Sequence, residues 1–126
     1  MSRSVVTTND APEAIGPYSQ AVTANGVVYC SGQVPLEPAS GELVGGSVGD
    51  QTRRCLSNLA AVLTAAGSGL ERVVKVTAYL TDMEDFPVFN EVYGEFFSSD
   101  PPARATVGVA ALPKGARVEV ECVALA

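Results

Sequence analysis

The sequence predicts an α+β domain of about six strands and two helices. Two observations carry that reading: a series of short, β-rich runs bounded by turn residues, and two segments whose apolar residues recur at three- and four-residue steps. A helix with one apolar stripe covers one face of a sheet, so both helices are expected on the same face of a single sheet, over the whole of residues 1–126 as one domain.

Residues 3–7 (RSVVT) read as a short strand, and NDAPEAIGPYSQ, with two prolines and a glycine, as a turn-rich segment ending near Tyr18. From Gln20 to Val34 two strand-like runs are split by Asn25-Gly26, the strongest short hairpin signal in the chain. Residues 35–46, with two prolines and three glycines, form the longest loop. Ser47 and Asp50 have capping-box spacing before a helix carried by Cys55, Leu56, Leu59, Val62, Leu63 and Ala66, which Gly67 ends. ERVVKVTAYLTD, from Glu71, is apolar on both alternating faces, as a central strand is; Val73, Lys75, Thr77 and Tyr79 share one face and Val74, Val76, Ala78 and Leu80 the other. Residues 84–98 return to helical spacing through Phe86, Phe89, Tyr93, Phe96 and Phe97, with Pro87 in the first turn. Two further β-rich runs, 103–112 and 117–125, are joined by PKGA.

Composition limits the function. Of the 126 residues 47% are hydrophobic and 17% charged, which is more apolar surface than one small domain readily hides; sheet faces of neighbouring copies are therefore expected to meet in a homo-oligomer. The net charge of −6 without a Lys/Arg cluster disfavours nucleic acid as a partner. Cys30, Cys55 and Cys122 have no metal-ligand spacing and read as buried, reduced thiols of a cytoplasmic protein. No apolar leader and no run of 18 apolar residues is present, so no membrane partner is expected. With no histidine there is neither an imidazole base nor a Ser-His-Asp triad, and the common glycine-rich nucleotide cradles are absent. No metal and no cofactor is expected.

The residues left to carry chemistry are Tyr18, the CSGQ turn, Asn90, Arg104, Thr106, Glu119 and Glu121. Strand alternation sets Arg104 and Thr106 on one face, opposite Ala103, Ala105, Val107 and Val109; Arg117, Glu119 and Glu121 share a face of the last strand. A guanidinium on a rigid strand can hold a carboxylate through two parallel hydrogen bonds. At this level Arg104 reads equally as a surface or ion-pair residue, Glu119 and Glu121 as a solvated face, Tyr18 as a loop anchor and Thr106 as a good strand former. If LPKGAR turns a hairpin with Leu112 opposite Arg117, Glu119 lies about 20 Å along the strand from Arg104, so a pocket using both needs a subunit boundary or another strand pairing.

The stretches APEAIGPYSQAV, VYCSGQVPLEPASGEL, DFPVFNEVYGEFF and PPARATVGVAALPKGARVEVECVA together resemble the reactive intermediate deaminase (Rid, or YjgF) family, also known by translation-inhibitor and L-PSP endoribonuclease names, over nearly the whole chain. The resemblance implies a chorismate-mutase-like fold, a mixed sheet of about six strands with two helices on one face, assembled as a homotrimer with clefts between subunits. It implies hydrolysis of reactive enamines and imines, such as 2-aminoacrylate, to 2-oxo acids and ammonia. By position Arg104 matches the residue that grips the substrate carboxylate, Tyr18 the pocket tyrosine, Gly32 a nearby backbone contact, Asn90 a cleft asparagine and Glu119 the acid near the attacking water. Thr106 stands where the family often has cysteine; a role through the backbone carbonyl, holding the imine nitrogen, tolerates that change. The alternatives are a non-catalytic small-acid-binding or chaperone-like trimer and an RNA-cleaving translation inhibitor.

Overall fold

In a computed structural model of the chain, residues 2–126 are described and form one six-stranded mixed sheet with two α-helices on one face. The strands are β1 (Ser4–Val6), β2 (Ala21–Ala24), β3 (Val27–Gln33), β4 (Val73–Leu80), β5 (Ala103–Gly108) and β6 (Val118–Leu125), in the order β1-β2-β3-β6-β4-β5. Only β4 and β5 run parallel; every other neighbouring pair is antiparallel. Helix α1 (Val48–Ala65) connects β3 to β4, and α2 (Phe86–Phe96) connects β4 to β5.

The local signals form as their chemistry requires. Asn25 and Gly26 take φ of 53° and 75°, the left-handed pair that a two-residue hairpin turn demands. Ser47 Oγ accepts from the Asp50 N–H at 3.2 Å, and Asp50 Oδ2 accepts from the Ser47 N–H at 3.3 Å, closing the capping box of α1. Gly67, at φ 79°, turns the chain out of that helix. Pro87 sits in the first turn of α2, where a missing N–H costs nothing.

One face of the sheet is dry. Val28, Val76, Ala78, Leu80, Val118, Val120 and Ala124 are fully buried, packed in one cluster with Leu56, Leu59, Val62 and Leu63 of α1 and Phe89 of α2. The three cysteines are free and buried, and Cys30 and Cys122, remote in sequence, are direct cross-strand partners. Their thiols share a hydrogen bond that lowers the pKa of Cys30 and raises that of Cys122. Among the described residues the opposite face carries no helix, and Val5, Tyr29, Val107 and Leu125 stand exposed on it. Among the described residues no helix is long and apolar enough to cross a membrane.

Three expectations change. The register shifts between Val73 and Lys75, so Val73 joins Val76, Ala78 and Leu80 on the covered face while Val74 is left exposed; a bulge absorbs the residue that simple alternation would have paired. The run 103–112 is a strand only to Gly108. No Leu112–Arg117 hairpin joins the last two strands, because β4 lies between β5 and β6. Pro113–Gly115 instead form a 3-10 turn in which Lys114 (φ 59°) and Gly115 (φ 71°) are left-handed, and this turn redirects the chain across the sheet.

The irregular segment before β2 is fastened by one side chain. The carbonyl of the buried Gln20 amide accepts from the Thr8 N–H at 2.7 Å, and its NH2 donates to the carbonyls of Thr8 (3.1 Å), Ala11 (3.4 Å) and Pro12 (2.8 Å). Gln20→Met keeps the shape and removes all four bonds, so it is expected to destabilise the fold by about 2–3 kcal/mol in urea unfolding; a loss under about 0.5 kcal/mol would mean that other contacts hold the segment.

Candidate functional site

The six residues to which the family resemblance gives roles fall into two groups. Tyr18, Gly32 and Glu119 line one cleft of about 490 Å³, together with Ser31, Pro113 and Lys114. Asn90 and Arg104 line another of about 380 Å³, with Tyr93, Phe97 and Pro102. Thr106 follows Arg104 on the same face of β5. A larger groove of about 720 Å³ along the amino-terminal segment shares Tyr18 with the first cleft but holds none of the other five.

The first cleft is set by the meeting of β3 and β6. β3 bulges between Cys30 and Gln33, and the absence of a side chain at Gly32 makes room for Glu119: a Cβ there would lie 2.9 Å from the carboxyl carbon and collide with its oxygen. Partial burial raises the pKa of Glu119, and the nearby charge of Glu121 raises it further. Glu121 itself accepts from Tyr79 Oη, and that bond pushes the phenol up to about 12. Half-exposed Tyr18 accepts from the Ile15 N–H at 3.1 Å, and Ser31 ties its loop to β3 by donating from Oγ to the Ser19 carbonyl at 2.6 Å. A carboxyl raised in this way suits the task of taking up and returning a proton.

The second cleft is built differently. Arg104 pairs in register with buried Val76 and turns toward α2, where its guanidinium carbon lies 4.6 Å from the ring centre of Tyr93, 5.5 Å from Phe86 and 5.9 Å from Phe89. Among the described residues no carboxylate lies within salt-bridge distance of it, and the only buried side-chain polar atoms without a hydrogen-bond partner are Tyr93 Oη and Thr106 Oγ1, both on residues flanking this cation. Burial raises the Tyr93 phenol pKa, and the charge of Arg104 opposes that. The arrangement is a fixed cation with no carboxylate of the described residues bound to it.

Within one chain the two clefts do not meet. Val76 pairs with both Arg104 and Cys122, and Glu119 lies three residues further along β6; that separates Glu119 from Arg104 by roughly 10 Å along the strands and two strand spacings, about 10 Å, across them. They also project from opposite faces, since Arg104 faces the helices and Glu119 alternates with buried Val118 and Val120. The different strand pairing thus shortens the expected distance along the strand but does not unite the pair.

The family model described as Endoribonuclease L-PSP matches residues 8–126. The chain belongs to this family, the Rid (YjgF) group. It is 49% identical over 123 residues to human 2-iminobutanoate/2-iminopropanoate deaminase, covering 98% of this chain and 90% of that protein. Among solved structures, YyfA of Yersinia pestis, described as a protein of unknown function of the conserved Rid family, superimposes with a TM-score of 0.97 at 45% identity, over 99% of this chain and 100% of that one. TdcF of E. coli with bound serine gives 0.93 at 40% identity, over 98% of each chain. The mixed sheet with two helices on one face is the fold of these Rid proteins.

Reading the sequence alone missed Tyr93 and Lys114 as cleft residues. The aromatic spacing of α2 reads as packing, and only the pairing of β5 with β4 reveals that a cation lies over it. Lys114 reaches the first cleft because its left-handed backbone turns it there, with Nζ donating to the Gly41 carbonyl at 3.2 Å.

Two outcomes follow. Because the Glu119 pKa is raised in the folded protein, folding takes up protons as pH falls through that value, and the charged form costs stability above it. Glu119→Gln is therefore expected to be more stable than the parent at neutral pH, with the gap in melting temperature closing toward acid; a gap that does not vary with pH would exclude a desolvated carboxylate. Gly32→Ala is expected to displace the Glu119 carboxylate and return its titration, followed by carbon-13 NMR, toward the ordinary glutamate range.

Proposed function

We propose that the chain hydrolyses small imines of 2-oxo acids, of which 2-aminoacrylate is the enamine tautomer of one, to the 2-oxo acid and ammonia, working as a homotrimer in the cytoplasm. The observation that carries this reading is Arg104: a permanent cation turned inward over aromatic rings, with no carboxylate among the described residues bound to it. Similarity to the human deaminase over nearly the full length supports the reaction class. The apolar, helix-free face supports assembly, and the separation of the clefts supports a site shared between copies, with Arg104, Thr106 and Asn90 from one and Tyr18, Gly32 and Glu119 from the next.

In this reading the substrate carboxylate takes two parallel hydrogen bonds from Arg104, and the Thr106 carbonyl accepts from the imine nitrogen. Glu119 takes a proton from a water that adds to the imine carbon, forming a carbon–oxygen bond and a carbinolamine. That proton passes to nitrogen to complete the carbinolamine; the hydroxyl proton then follows it to nitrogen, the carbon–nitrogen bond breaks with its electron pair leaving on ammonia, and the oxygen's freed pair forms the new C=O. Atoms balance as imine plus water giving 2-oxo acid plus ammonia. The imine carbon is already electrophilic, so holding the acid end and one water in line is sufficient catalysis for a chain without histidine.

A second reading is binding of a small acid without turnover; TdcF was solved with serine bound. Pyruvate release from dehydratase-generated 2-aminoacrylate separates the two. Wild-type protein is expected to accelerate it, Arg104→Ala to lose about 100-fold or more in kcat/KM, and Arg104→Lys to recover part of the loss. Equal rates for wild type and Arg104→Ala would remove the clamp, and pyruvate binding without any acceleration would favour the binding reading.

A further inference from the structure

The arginines of the chain are anchored in different ways. Arg53, Arg54 and Arg117 lie near carboxylates, and Arg72 donates to the carbonyls of Leu125 and Ala126. Arg3 is exposed near the amino terminus. Arg104 is half-buried on the helix-covered face, where a cation needs compensation, and among the described residues it has neither a carboxylate nor a carbonyl as partner.

What surrounds it is aromatic. Phe86, Phe89 and Tyr93 lie within 6 Å of the guanidinium carbon. They form part of a ladder along α2, with ring centres 6.5 Å apart for Phe86–Phe89, 5.6 Å for Phe89–Tyr93 and 4.7 Å for Tyr93–Phe97. Phe89 is fully buried and Tyr93 and Phe97 nearly so, which fixes the ladder in place.

The choice of ring over carboxylate has a chemical consequence. A structural carboxylate would take the paired in-plane N–H groups that an incoming carboxylate needs. A ring face attracts the cation through its quadrupole and leaves those donors free. We propose that Tyr93 and Phe86 are positioning residues, whose ring faces hold the Arg104 guanidinium in place of a counter-anion and so keep its hydrogen-bonding edge open to the carboxylate of a 2-oxo or 2-imino acid. The ligand class rests on the reading of Arg104 given under the proposed function; the cage itself does not. In Tyr93 it is the ring and not the hydroxyl that acts, so Tyr93→Phe conserves the function and Tyr93→Leu does not.

The test has two independent arms. In the first, the Arg104 Nε–H resonance, assigned by its loss in Arg104→Lys, is recorded in the ligand-free protein. A ring-current shift that persists in Tyr93→Phe and collapses in Tyr93→Leu supports the cage, and an unshifted signal in wild type overturns it. In the second, pyruvate is titrated as the probe and KM is measured with 2-aminoacrylate. Tyr93→Leu is expected to raise both Kd and KM about 5- to 30-fold with kcat changed far less, while Tyr93→Phe stays within about 2-fold of wild type. Loss in Tyr93→Phe equal to that in Tyr93→Leu would overturn the proposal in favour of the hydroxyl, and an unchanged Kd in folded Tyr93→Leu would reduce the ring to packing. Should Tyr93→Leu fail to fold, Phe86→Leu, at a less buried ring, decides by the same readings. If wild type itself does not bind pyruvate, the functional reading fails while the resonance arm still decides the cage.

Discussion

The reversed amphipathicity of β5 is the constraint from which the remaining features follow. In most one-sided sheets the polar residues of a strand face water and the apolar ones face the helices. Here Arg104 and Thr106 face the helices, and Ala103, Ala105 and Val107 face outward. A cation beneath the helix layer must be compensated, and α2 supplies a row of rings instead of an anion. On the outward face, exposed Val5, Tyr29 and Leu125 join Val107 across the sheet. One inverted strand thus places a cation under the helices and apolar side chains on the open face.

The second organising feature is the insertion of β6 between β3 and β4. Being last in sequence, this strand completes the middle of the sheet and makes most of its neighbours through long-range pairing. It also aligns Glu119 with the bulge of β3, where the missing side chain of Gly32 admits the carboxylate. The raised affinity of Glu119 for its proton is therefore a product of topology: partial burial against β3, and Glu121 two residues further along the same strand.

What could be read from the sequence was mostly local. Asn25-Gly26 specifies its turn through left-handed backbone, Ser47 and Asp50 satisfy each other's amides, and Gly67 ends α1; each signal depends on a few adjacent residues. The alternation that grouped Arg104 with Thr106 also held, because β5 is short and without a bulge. The failures were non-local. Val73 changes face because β4 bulges against β6, a partner remote in sequence, and PKGA looks like a hairpin turn although β4 lies between the strands it joins. The phenylalanine and tyrosine spacing of α2 is the same whether a leucine or an arginine packs over it, so the cage around Arg104 left no mark in the periodicity.

Gln20 makes a further point about modularity. The stretch from Thr8 to Pro12 is irregular, yet a single amide grips it at three carbonyls and one N–H. Every one of these contacts is to main chain, so the side chains along that stretch are uncommitted by the latch. At exposed Asn9 the wall they form beside Tyr18 can consequently vary without disturbing the latch, whereas Ala11 and Pro12 are buried and stay fixed. Such a fold can diversify what it admits to its clefts at little cost to its own architecture.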